Sequence, residues 1–303
     1  MLRNIVYKNQ LVFSLKSILN KVLMFFVKTG NLFVELYYGK NRIIILTSSI
    51  FLFKDNWGDT ISSILVSLIN EKKKKVIHRS YSWNIYHLPD YLCVGSIITW
   101  MTTPRSVIWG SGIVYPEQEI SAIPSDVLAV RGPLTRNYLL QRNIPCPEVY
   151  GDPALLFPRY YCPEVKKRYK MGIIPHFRDM DHSILKNVEI ELDNILIINV
   201  RDVRDWRTFI KQICMCEFIV SSSLHGIIIS DAYKIPNCWI KFVGGEDKKF
   251  AFIDYFMSVK KDIDEPLLIT NIDDMKKSFQ YKQYWKEPNI DLDLLMSNCP
   301  FIL

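Results

Sequence analysis

The sequence predicts an α/β protein made of two doubly wound domains that face a cleft, preceded by a basic amphipathic arm. Three observations carry this. The 303 residues suit two cores of ordinary size rather than one. With 49% hydrophobic and 23% charged residues, the chain fits neither a disordered nor a fibrous class. Short apolar, β-branched runs alternate with segments of helical spacing along most of the length, the pattern of parallel strands and crossover helices.

The arm comes first. Placed on a helix, Leu11, Leu15, Leu19, Val22 and Phe26 share one face, flanked by Val12, Ile18, Leu23 and Phe25. Lys16 and Lys21 interrupt the run, so it does not suit a transmembrane span, and it lacks the small-residue cleavage site of a secretory signal. Two readings stay open for residues 11–28: packing on the body of the protein, or lying in the interface of an anionic membrane with the lysines over lipid.

Arg42–Ile50 then reads as a buried parallel strand and Thr60–Glu71 as a helix, with the lysine run Lys72–Lys75 as its solvated end. Apolar runs at Tyr91–Ile98, Ser106–Trp109 and Asp126–Val130 give further strands, and Pro133 opens a helix. Residues 157–169, with two prolines and little periodicity, read as a linker. Beyond it, strands are expected at Met171–Ile174, Ile195–Val200, Phe218–Ser221 and Cys238–Phe242. Helices are expected at Trp206–Cys214, Leu224–Tyr233, Asp273–Gln280 and Asp291–Ser297. The units are therefore the arm at 1–40, a first domain at 41–160 and a second at 161–303.

Residues 1–50 hold seven Lys or Arg against Glu35 alone, so +6 of the chain's +7 sits there. The rest is close to neutral, which excludes a broad nucleic-acid surface. Seven scattered cysteines form no paired C-x-x-C pattern, which argues against a zinc site or disulfide framework and for a reducing compartment.

Four constellations fall where strands end. In Asn56-Trp57-Gly58-Asp59, Asp59 is either a helix cap or a general base aimed into the cleft. Gly110-Ser111-Gly112 is an ordinary turn or a backbone cradle for an anion. Arg131, in Arg131-Gly132-Pro133-Leu134-Thr135, forms a surface ion pair or forks onto a carboxylate or phosphate. Ser221-Ser222-Ser223-Leu224-His225-Gly226 brings hydroxyls and free N–H groups to a helix start, a natural anion site. There His225 is a capping or core histidine, or a catalytic one whose pKa is pushed down until an anion binds.

Together the Asn-x-Gly-Asp, the Arg-Gly-x-Leu-Thr with downstream Gly151-Asp152-Pro153-Ala154-Leu155-Leu156, and the Ser-Ser-x-Leu-His-Gly resemble the polysaccharide pyruvyl transferase family over roughly residues 42–245. The resemblance implies two Rossmann-like domains in a glycosyltransferase-B-like arrangement. It implies transfer of the pyruvate unit of phosphoenolpyruvate (PEP) to a hexose as a cyclic ketal, in bacterial capsule or exopolysaccharide assembly. The acceptor would be linked to undecaprenyl diphosphate and the enzyme cytoplasmic, at the inner face of the membrane, with no metal or organic cofactor. His225 would be the general acid, Asp59 a base or acceptor ligand, and Arg131 the holder of PEP. Ser221, Ser222 and Ser223 would meet the phosphate, and Asp152 would fix a turn. Family members often carry Arg-Leu-His where this chain has Ser223-Leu224-His225, so the missing charge is expected from Arg178, Arg201 or Arg204, with His176 a further contact. Two rivals remain: a glycosyltransferase using a nucleotide sugar, with Glu217 or Asp231 as ribose ligand, and a catalytically silent membrane-associated scaffold.

Overall fold

A computed structural model describes residues 32–47, 56–78 and 84–302, together with helical positions 18, 21–22, 25–26 and 29–30. Helix α1 (32–38) leads into β1 (Arg42–Ile45), α2 (Trp57–Ile69), β2 (Lys75–His78), β3 (Asp90–Leu92), α3 (Ile98–Met101), β4 (Ser106–Trp109), β5 (Asp126–Ala129) and α4 (Pro133–Leu140). After a 3-10 turn at Pro153–Arg159 come β6 (Met171–Ile174), α5 (Ser183–Glu191), β7 (Ile195–Ile197), α6 (Trp206–Cys214), β8 (Ile219–Ser221) and α7 (Leu224–Ala232). The chain ends with β9 (Asn237–Phe242), α8 (Lys249–Ser258), β10 (Leu267–Ile269), α9 (Ile272–Ser278) and α10 (Leu292–Ser297).

The strands form two five-stranded sheets, ordered β2-β1-β3-β4-β5 and β10-β9-β8-β6-β7, with every pairing parallel. Numbered within its own half, each sheet runs 2-1-3-4-5. The direction of winding therefore reverses between β1 and β3 in one half and between β6 and β8 in the other. In open α/β sheets these reversal points leave the crevices that take ligands. The central strands are buried on both faces, which explains runs such as Arg42–Ile45 and Met171–Ile174 with four buried positions out of four.

The halves share a core. Trp57 at the start of α2 stacks on Phe209 of α6 with centroids 4.5 Å apart, and Phe157 packs against both Trp57 and Trp206. The Trp57 indole donates to the Trp206 carbonyl at 3.0 Å. The last residues, expected with the second half, return to the first. The Trp109 indole donates to the Leu295 carbonyl at 3.0 Å, and Phe301 packs on Tyr91 and Trp109.

Several boundaries differ from expectation for physical reasons. The run at Tyr91–Ile98 is strand only to Leu92, because Gly95 takes φ +107° and turns the chain before α3. The lysine run does not end a helix: α2 stops at Ile69, and Lys75 already belongs to the edge strand β2. Residues 48–50 of the expected first strand and most of the arm at 11–28 lie outside the described residues. No helix among those described is long and apolar enough to cross a membrane.

Candidate active site

A cleft of about 310 Å³ opens between the halves, bounded by segments that follow β1, β3 and β4 on one side and β6, β8 and β9 on the other. From the first half come Asn56, Ser96, Trp100 and Tyr115; from the second come His176, Arg178, Ser223, His225, Glu246 and Lys248.

His225 occupies the first turn of α7 and meets the Asn-x-Gly-Asp segment directly. A side chain at Gly58 would fall inside the His225 ring, so a glycine is required for the two motifs to touch. The Nε2 atom is shielded from water and has no hydrogen-bond partner. Burial, then the charges of Arg131 and Lys248, push its pKa down to about 3. The imidazole is thus neutral at neutral pH until a negative charge arrives. A buried polar atom without a partner is costly, and a ligand that bonds it removes that cost.

The positive charges come from Arg178 and Lys248. Arg178 Nη1 lies 2.8 Å from Glu246 Oε1, and Lys248 Nζ lies 3.2 Å from Glu246 Oε2. The Tyr115 hydroxyl crosses from the first half to donate to the same carboxylate, and burial with that bond raises the phenol to about 12. Burial works against ionising Glu246, but the bonds and charges of Tyr115, Lys248 and Arg178 outweigh it and hold the carboxyl below its usual range. Arg178 and Lys248 thus both pair with Glu246 at the cleft.

His176 is not an acid in this arrangement. Its Nε2 lies 2.9 Å from Lys248 Nζ, and an ammonium can only donate, so Nε2 accepts and the ring is neutral with its proton on Nδ1. Burial and the neighbouring Lys248, Arg178 and His225 push its pKa down to about 3. That contact fixes Lys248 Nζ beside the ring.

Several expected ligands have other work. Arg131 is fully buried: Nε donates to Asp254 at 3.1 Å, Nη2 to the Ile113 carbonyl at 2.7 Å, and Nη1 to Ser96. Asp254 lies on α8 of the other half and also accepts from the Thr135 backbone at 2.9 Å and its hydroxyl at 2.6 Å. A side chain at Gly132 would collide with the Asp254 carbonyl. The Arg-Gly-x-Leu-Thr segment is therefore a clamp between halves rather than a grip on a ligand. Gly110 and Gly112 spend their N–H groups on Ala129 and Gly95, and the Ser111 hydroxyl bonds the Gly95 carbonyl, so two of the turn's three N–H groups are taken within the protein. Gly110 instead takes φ +88° against Pro153.

The three serines divide. Ser221 is buried and bonds Ile174 and Ser223, while Ser222 bonds Asp179 at 2.7 Å and receives the His176 N–H at 2.9 Å. Only Ser223 lines the cleft. Arg201 donates to the carbonyl of the cleft-lining Phe177 and Arg204 pairs with Asp202, and neither arginine is among the cleft's lining residues. Asp152 caps the 3-10 turn through Ala154 at 2.9 Å. Asp59 lies on α2, but its side chain falls outside the described residues. Sequence reasoning missed Glu246, Lys248 and Tyr115. The available signal was a Gly-Gly followed by charged residues straight after β9, at the ligand end of a parallel strand.

The family model described as "Polysaccharide pyruvyl transferase" matches residues 38–241. An uncharacterised protein of Acanthamoeba polyphaga mimivirus is 27% identical over 251 residues, covering 80% of this chain and 84% of that one. The succinoglycan biosynthesis protein ExoV of Rhizobium meliloti is 28% identical over 153 residues, 47% of this chain and 45% of ExoV. A crystal structure of a functionally uncharacterised Klebsiella pneumoniae protein superposes with a TM-score of 0.45 at 12% identity, over 80% of this chain and 97% of that one, too loosely to support an argument. The family match contains both winding reversals and the Leu-His-Gly turn that places His225 at the cleft: the chain is a member of the polysaccharide pyruvyl transferase family.

Proposed function

We propose that the chain moves the pyruvyl unit of PEP onto two hydroxyls of a saccharide, forming a cyclic ketal and releasing phosphate. The observation that carries this reading is His225, a neutral imidazole with an unpartnered Nε2 at a cleft whose nearby cations are Arg178 and Lys248. The donor's carboxylate and phosphate would sit by those cations, and their charge would raise the His225 pKa so that the ring takes up a proton. Protonated His225 then gives that proton to the methylene carbon of PEP, leaving an oxocarbenium on the neighbouring carbon. One sugar hydroxyl adds there. The second closes the ring as the carbon–oxygen bond to phosphate breaks. Of the two hydroxyl protons released, one restores His225 and the other leaves with phosphate.

Lys248 lies beyond the family match, which ends at residue 241. We assign it and Arg178 to the charge that an arginine at position 223 supplies in other members. Trp100, 54% exposed, and Tyr115 line both this cleft and an adjoining groove with Gln118 and Glu119, where a sugar ring could stack with its hydroxyls bonded. The two-sheet arrangement would then work in the glycosyltransferase-B manner, donor on one half and acceptor on the other. A lipid-linked acceptor would bring the enzyme to the inner face of a membrane.

The nucleotide-sugar reading loses its expected ribose ligands. Asp231 is buried under four donors, Asn237, Tyr255, Lys261 and Trp285, and Glu217 pairs with Lys282 at the surface. Glu246 is the carboxylate left to it. Purified protein with PEP and a panel of polyprenyl-diphosphate hexosides should release phosphate and yield an acceptor heavier by one pyruvyl ketal. Stabilisation by UDP-sugars but not by PEP would favour the rival instead.

A further inference from the structure

Away from the cleft, two basic features that are separate in sequence come together. In α1 (32–38), Phe33 lies three and four residues before Leu36 and Tyr37, on one face of the helix, and the described helical positions before it include Ile18, Val22, Phe25 and Phe26. Every one of them is exposed, from 47% for Val22 to 75% for Phe33 and 84% for Tyr37. The opposite face is tied to the protein: Glu35 is fully buried, pairs with Arg42 at 3.1 Å and accepts from the Asn84 and Ile85 backbones. Helix α1 is therefore held with Phe33, Leu36 and Tyr37 turned outward.

Where that face ends, the Tyr37 ring meets Tyr38 at 5.0 Å, and Tyr38 borders a groove of about 490 Å³. Lys72–Lys75 and Arg207 line the groove, and no carboxylate is among its described lining residues. Among the described residues, Glu71 pairs with Lys73 at 3.3 Å and Asp205 with Arg207 at 3.7 Å, and Lys72, Lys74 and Lys75 have no ion pair.

We propose that this surface docks on an anionic phospholipid bilayer. Phe33, Leu36 and Tyr37 of α1 lie in the acyl boundary, and the Lys72–Lys75 groove takes lipid phosphates. The charge decides the occupant: a neutral protein partner would cover that apolar face but has no use for five cations beside it, whereas an interfacial helix needs both. The inference is independent of which reaction the cleft performs.

Full-length protein is floated with phosphatidylcholine vesicles, with and without phosphatidylglycerol. Flotation is expected only with the anionic vesicles, and should fall as salt is raised. The exposed pair K72Q/K73Q should weaken binding about 25-fold, about five-fold per charge, and F33S/Y37S should abolish it, both with unchanged circular dichroism. Absence of flotation, equal flotation with neutral vesicles, or unchanged flotation of the variants overturns the proposal. So does light scattering that shows a dimer which F33S/Y37S dissolves, since a second copy would then cover that face.

Discussion

Two segments that look alike in sequence end in opposite situations. Arg131-Gly132 and His225-Gly226 each follow a strand, each open a helix, and each offer a side chain suited to anions. Every Arg131 nitrogen has a partner inside the protein, and its glycine makes room for Asp254. His225 keeps a buried nitrogen with none. The difference separates a fold-holding group from a ligand-seeking one: the first has its hydrogen bonds filled from within, while the second retains a deficit that a ligand fills.

That contrast yields predictions of decreasing size. His225→Gln should lower turnover by about 10²–10⁴-fold, the usual contribution of a positioned acid, with an unfolding midpoint no lower than that of the parent. A loss of stability with turnover retained would give His225 the role assigned here to Arg131. Arg131→Met should do the reverse. Removing one partner of a buried ion pair costs about 3–5 kcal/mol, read as a fall in the urea midpoint, while the surviving folded fraction still binds PEP. Selective loss of PEP affinity at full stability would turn the arginine back into a ligand.

Lys248→Met should weaken PEP binding about ten-fold, as loss of one charge-assisted contact does. It should also let the His176 pKa rise, seen in the proton NMR titration of the ring, because a neighbouring positive charge is gone. Arg201→Ala, exposed and absent from the cleft lining, should change neither property measurably.

Stability should also follow pH in a stated direction. His176 and His225 titrate near 3 when folded and near 6.5 when unfolded. Between those values the unfolded chain holds more protons, so the free protein should lose stability as pH falls from about 6.5 toward 3. Saturating PEP should flatten that decline by letting the folded state keep a proton on His225.

Sequence made much of this visible. The apolar runs at Arg42–Ile45, Ser106–Trp109 and Met171–Ile174 announced strands because central parallel strands bury both faces. The edge strand Lys75–His78 stayed hidden, since two of its four residues are polar and it follows a lysine run. Helix α8 was missed because its aromatic run, Phe250 to Phe256, shows no clean polar face. His225 could be singled out by its place at a helix start. The employment of Arg131 could not, because its partner lies 123 residues away on the other half. Lys248 stood out in no motif, and only the folded position of the loop after β9 brings it beside His176.

The central claim is that an anion entering the cleft converts a neutral His225 into an acid. Calorimetry of PEP binding at pH 7 in buffers of different ionisation enthalpy tests it directly, because the slope of apparent heat against buffer heat counts protons taken up. The account predicts uptake approaching one proton, lost in His225→Gln while PEP still binds. Binding with no proton uptake, or the same uptake in the variant, would contradict it.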